Sequence, residues 1–103
     1  MSSIKIRTKR QQGTTQIRTL IAHPMETGLN TDNQNQKTIA AHFIQTLTVR
    51  HNDEIILTTD MGSGISRNPY FSFEMKGGDV GDKITIQWSD NQGNRDSQDA
   101  LIS

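Results

Sequence analysis

The alternation of apolar and polar residues along Phe71-Ser72-Phe73-Glu74-Met75-Lys76 and again along Lys83-Ile84-Thr85-Ile86-Gln87-Trp88 constrains this chain more than any other feature. Successive side chains of a strand point to opposite faces, so a period of two gives each strand one dry side and one wet side. Phe71, Phe73 and Met75 are predicted to face inward, as are Ile84, Ile86 and Trp88. The same reading puts Ile4 and Ile6 on one side of a first strand, opposite Lys5 and Arg7. A second strand over about 15–22 has Ile17, Thr19 and Ile21 inward, yet Leu20 and Ala22 make its other face apolar as well. A third, over about 42–51, carries Phe43, Leu47 and Val49 on one face. A fourth, 54–59, carries Ile55, Ile56 and Leu57, and a polar edge-like strand runs over 95–102.

Turn chemistry separates these runs. Gln11-Gln12-Gly13, Asn52-Asp53, Gly77-Gly78, Val80-Gly81-Asp82 and Asp90-Asn91-Gln92-Gly93 all favour reversals. His23-Pro24 breaks the second strand, because proline lacks a backbone donor and keeps the residue before it out of helical space. A long polar connection over 26–38 follows, then a glycine-rich loop over 61–68. No segment has helical periodicity. Seven short strands with one dry side each require two sheets packed face to face. The expectation is a single all-β domain over 1–103, an immunoglobulin-like antiparallel β-sandwich of about seven strands, with a small barrel as the second architecture.

Charge narrows the partners. Eleven lysines and arginines balance eleven acids, which gives no case for nucleic acid or an anionic membrane. The distribution is uneven: Lys5, Arg7, Lys9, Arg10 and Arg18 precede any acid, while Asp79, Asp82, Asp90, Asp96 and Asp99 crowd the far end. Either the two ends lie side by side and balance each other, or the first strands form a basic patch for a partner. With no cysteine, a disulfide framework, a thiolate nucleophile and an iron–sulfur cluster are excluded. No apolar run is long enough for a secretory leader or a membrane span, so the residues alone point to the cytoplasm.

Catalytic signals are weak. Ser63 in Gly62-Ser63-Gly64 lacks the full nucleophile-elbow pattern and a following helix. The acid pairs Asp96/Asp99 and Asp79/Asp82 read as solvated surface groups. Among the histidines, His42 and His51 lie at opposite ends of one strand, roughly 30 Å apart at ~3.3 Å per residue, and cannot share an ion. His23 and His42 both flank the long loop, and with a methionine such as Met25 they suit copper. A copper-binding β-sandwich is therefore the second functional reading, an adhesion or binding module the third, and an enzyme the last.

Three ordered blocks carry a resemblance: Leu20-Ile21-Ala22-His23-Pro24-Met25-Glu26-Thr27-Gly28, Ala41-His42-Phe43-Ile44, and Asn68-Pro69-Tyr70-Phe71-Ser72-Phe73. Together they resemble the SoxZ family, the Z subunits of the SoxYZ sulfur-oxidation carrier complex, from Ile4 to Trp88. Asn30 and Ala40 depart from the family pattern, in or beside the long loop. The resemblance implies an immunoglobulin-like sandwich that pairs with SoxY, whose C-terminal cysteine arm carries covalently bound sulfur intermediates during thiosulfate oxidation. It implies no catalysis, no cofactor and no metal for this chain, and transient contact with other Sox enzymes through the complex. It also implies a periplasmic location, reached by export with a signal-bearing partner, and self-association is an expectation only when the chain is isolated. The expected partner interface is Leu20, Ala22, His23, Pro24, Met25, Thr27, Gly28, His42, Phe43, Asn68, Pro69 and Tyr70, centred on the doubly apolar end of the second strand.

Overall fold

A computed structural model describes residues 3–26, 41–62, 65 and 67–103. Among them there are seven antiparallel strands and no helix: β1 (Ile4–Gln11), β2 (Thr14–Ile21), β3 (Ile44–His51), β4 (Glu54–Asp60), β5 (Tyr70–Lys76), β6 (Lys83–Asp90) and β7 (Arg95–Leu101). They form a three-stranded sheet ordered β1-β2-β5 and a four-stranded sheet ordered β4-β3-β6-β7. The tight turns predicted from sequence make the hairpins β1–β2, β3–β4 and β6–β7, while the longer connections cross between sheets. Asn52 and Asp53 both adopt positive φ (49° and 71°), the geometry of a two-residue turn that matches strand twist.

The core lies between the sheets. Ile17 and Ile21 of β2 pack with Ile44, Leu47 and Val49 of β3 and with Ile84, Ile86 and Trp88 of β6, sealed by Ile4 and Ile102. Each such aliphatic contributes about 1.5–3 kcal/mol on burial, and the period-two rule placed nearly all of them. One strand differs. The third strand begins at Ile44, two residues later than expected, and its pairing with β6 shifts register between Ile44 and Thr46. The shift turns Ile44 fully inward and leaves Phe43 half-buried, so Ile44 takes the core position that sequence periodicity gave to Phe43.

The two open edges of the sandwich are unlike. On one side β1 packs along β7. The Thr8 hydroxyl donates to the Leu101 carbonyl at 3.0 Å, and the Arg10 amide donates to the Ser103 carbonyl at 3.0 Å. The two ends of the chain therefore lie side by side, as one sequence reading anticipated. On the other side no comparable contact joins β4 to β5. Phe71, Phe73 and Met75 point inward but stay half-buried, and Ile55, Ile56 and Leu57 remain exposed on β4.

Gly78 shows how tightly the β5–β6 corner is built. Its φ is +85°, and a Cβ there would lie 2.8 Å from both Met75 Cε and Thr15 Oγ1. Thr15 cannot yield freely, since its hydroxyl donates to the Gly77 carbonyl at 2.8 Å and the residue is fully buried. Gly13 has a similar φ of +74° with open space around it. Alanine at Gly13 is expected to cost about 1–2 kcal/mol from backbone strain alone. Alanine at Gly78 adds a packing term of about 1–3 kcal/mol. Urea denaturation of the two variants checks the difference.

Candidate functional site

The end of the sandwich at which β2 leaves and β3 enters is organised around one carboxylate. The alternation of β6 does not stop at Trp88: one more step of two puts Asp90 on the inward face, where its side chain is fully buried. A charge at such a depth needs partners on every lone pair, and Asp90 has them. Its Oδ1 accepts the backbone amides of Gln92 (3.0 Å) and Asn94 (2.8 Å). Its Oδ2 lies 3.0 Å from His23 Nε2, 2.7 Å from His42 Nε2 and 3.2 Å from Asn94 Nδ2. Burial by itself pushes the Asp90 carboxyl up. The hydrogen bonds from His23, the Asn94 backbone, His42 and the Asn94 side chain outweigh it, and hold the group well below the usual carboxylate range.

The histidines reach this point from opposite sides of the long loop. Glu26 and His42 pair as an isolated antiparallel bridge, with amide-to-carbonyl distances of 2.6 and 2.9 Å. That bridge closes the loop's base and brings the rings of His23 and His42 to 4.6 Å, edge to face. The His23 ring also meets Trp88 edge-on at 5.1 Å. Trp88 Nε1 donates to Ser3 Oγ, and the Ser3 hydroxyl donates to Asp96 Oδ2 at 2.7 Å, which anchors the start of β1 to the same cluster. Met25 takes a φ of +50°, unusual for a non-glycine residue. It is held there because its amide donates to His23 Nδ1 (3.1 Å) and its thioether accepts the Ile44 amide (3.4 Å).

His23 Nε2, His42 Nε2 and an Asp90 oxygen form a group with ligand atoms within 4.8 Å of one another, the kind of set that can hold a cation. The wiring of His23 argues against that use. Its Nδ1 accepts the Met25 amide, so the ring's own hydrogen must sit on Nε2. Nε2 is then a donor aimed at Asp90, with no lone pair for a metal. Met25 likewise has its sulfur engaged with the Ile44 amide. His51 lies at the far end of β3, where it bonds Asp82 at 2.7 Å, in line with the expected separation from His42. The His51 imidazole, followed by the Asp79 amide, holds the Asp82 carboxyl below its ordinary value.

The structure gathers most of the predicted interface at this end. The His23 amide donates to Asn68 Oδ1 (3.0 Å) and the Asn68 amide to the His23 carbonyl (2.9 Å), while the Ile21 amide donates to the Pro69 carbonyl. The Phe43 amide donates to Asn91 Oδ1 at 2.8 Å. Leu20 and Tyr70 are register partners across β2 and β5, and both are exposed, at 40% and 58%. Ala22, Pro24 and Asn68 are exposed; His42 and Phe43 are half-buried; His23, Met25 and Pro69 are buried within the chain. Thr27 and Gly28 lie outside the described residues, as do Ser63 and the rest of residues 27–40. Sequence reasoning missed Asp90, which it read as turn, and did not single out Asn94. The signal for Asp90 was the unbroken alternation Ile84, Ile86, Trp88, Asp90.

The chain matches the family described as sulphur oxidation protein SoxZ over residues 4–100. No curated protein matches it.

Asp90→Asn is expected to lower stability at neutral pH by about 2–4 kcal/mol, because it weakens every bond to a buried acceptor. The sign of the pH dependence follows from the depressed carboxyl. Its stabilisation is fully present above the unfolded-chain value of about 3.9 and is lost as pH falls below that toward the folded value. Thermal melts from pH 7 down to pH 2 should show wild type losing its advantage over Asp90→Asn in the acid range.

Proposed function

The chain belongs to the SoxZ family and so has a role in sulfur oxidation, and from that membership we propose that it is the non-catalytic partner of SoxY in a sulfur carrier complex. The observation that carries this reading is a family match spanning nearly the whole chain. On it, the reactive thiol belongs to SoxY, since this chain has no cysteine at all. SoxY presents the sulfur intermediates of thiosulfate oxidation to the other Sox enzymes, and this chain gives it a rigid companion. The pair works in the periplasm, to which the signal-bearing partner brings it.

The site's chemistry supports binding over catalysis. The convergent cluster of His23, His42 and Asp90 spends the carboxylate's acceptors on internal donors, so Asp90 is committed to holding backbone in place. What it holds is the surface where Ala22, Pro24, Asn68 and the Leu20–Tyr70 pair are exposed. An interface of about 800 Å² per side centres on apolar anchors within a polar rim. Leu20 and Tyr70 are the anchors here. His42 and Phe43, half-buried where the chain enters β3, complete the interface, while His23, Met25 and Pro69 support it from within.

Co-expression with SoxY followed by size-exclusion chromatography and light scattering tests the pairing. A stable heteromer is expected, and separate elution of the two chains would contradict it. Leu20→Asp and Tyr70→Ala should each weaken the complex at least tenfold while leaving the melting temperature of the isolated chain within a few degrees of wild type.

A further inference from the structure

The outer face of the β1-β2-β5 sheet has a charge pattern that no fold requirement explains. The register places Lys5 opposite Leu20, Arg7 opposite Arg18, and Lys9 opposite Gln16. It then continues Leu20 to Tyr70, Arg18 to Ser72 and Gln16 to Glu74. Three rows result: Lys5–Leu20–Tyr70, Arg7–Arg18–Ser72 and Lys9–Gln16–Glu74. Lys5, Arg7, Lys9 and Arg18 are all exposed. Like charges directly opposite on paired strands destabilise a sheet, yet Arg7 faces Arg18 with Lys5 and Lys9 on either side along β1.

None of the four forms a salt bridge with another described residue. The ion pairs among those residues belong to His23, His42, His51 and Lys83, and none includes Lys5, Arg7, Lys9 or Arg18. Glu74 sits at the far corner of the face. Asp99 flanks the β1 edge, but it is turned toward β6, where its Oδ1 accepts the Thr85 hydroxyl at 2.7 Å and its charge acts on Lys83. A shallow groove of ≈ 450 Å³ runs past Arg7, Lys9, Gln16 and Arg18, and another of ≈ 380 Å³ lies beside Lys5, Arg7, Arg18, Leu20 and Tyr70.

We propose that this sheet face is a docking surface for an acidic protein surface, and that it is the electrostatic half of the interface anchored by Leu20 and Tyr70. The proposal rests on the reading of the chain as one member of a pair. Two features select a protein over a small anion. Lys5 shares a row with two exposed apolar side chains, Leu20 and Tyr70, and the Arg7–Arg18 pair lies in the next row, the mixture of anchor and charge found in protein interfaces. The rows also span three strands, about 10 Å at the usual strand spacing, far wider than one oxyanion. The partner's carboxylates relieve the Arg7–Arg18 repulsion when it docks, so docking supplies what the isolated sheet lacks. Charges so arranged speed encounter and make it salt-dependent.

Arg18→Glu is the informative variant, because it separates binding from stability. It converts the like-charge pair into an opposite-charge pair with Arg7, so the isolated chain should melt at or above the wild-type temperature. With purified SoxY as the probe, its association rate at low salt should fall at least tenfold, and the wild-type rate should fall steeply with added salt. Arg95→Glu, on β7 of the other sheet, should leave the rate within twofold. Unchanged or faster association of Arg18→Glu, with wild type still binding SoxY, would overturn the surface alone. Absence of any wild-type complex at every salt concentration would overturn the pairing and this surface with it. A wild-type self-dimer disrupted by Arg18→Glu, beside unaffected SoxY binding, would assign the face to a second copy and overturn the acidic partner.

Discussion

The buried Asp90 carboxylate is the interaction on which this end of the molecule depends. Five donors converge on it, two from the β6–β7 turn, one from the Asn94 side chain and one each from His23 and His42. Those donors come from segments far apart in the chain that no hydrophobic contact alone would bring into register. An unpaired charge at that depth would cost several kcal/mol. The chain therefore closes the β6–β7 turn, seats both histidines and pairs Glu26 with His42 as one arrangement. The left-handed backbone of Met25 and the Asn68–His23 exchange of hydrogen bonds depend on the same seat.

The rest of the sandwich is stabilised in a plainer way. Aliphatic residues of β2, β3 and β6 fill the space between the sheets, and β1 closes one side against β7. Among the described residues nothing comparable closes the other side, between β4 and β5. A strand with Ile55, Ile56 and Leu57 exposed is an unguarded edge, and its charged neighbours Glu54 and Asp60 are its only described protection along the strand. Polar outer faces on β6 and β7 contrast with the basic outer face of β1 and β2, so a chain of zero net charge is electrically lopsided.

The fold was legible because period-two alternation is a local signal, and of the five strands that face the core, four (β1, β2, β5 and β6) keep it throughout. The exception was the entry to β3, where a register shift between Ile44 and Thr46 rotates the strand and moves Ile44 into the core in place of Phe43. A bulge depends on what the neighbouring strand does, so it leaves no mark in the strand's own sequence. The candidate site was half legible. The three blocks around His23, His42 and Asn68 could be picked out from their residues, and His23 with His42 were already paired by the loop they flank. Asp90 was hidden by its neighbours, because Asp-Asn-Gln-Gly reads as turn whether or not its first residue points inward. The metal reading of the two histidines could be weighed only once the Met25 amide was seen to occupy His23 Nδ1.

Oxidative side-chain footprinting of the chain, free and mixed with SoxY, tests the central claim most directly, since it reports which side chains a partner covers. Labelling of Leu20 and Tyr70 should fall several-fold in the mixture while that of Val80, 69% exposed at the β5–β6 corner, stays unchanged. Equal labelling of Leu20 and Tyr70 in both samples would contradict the account.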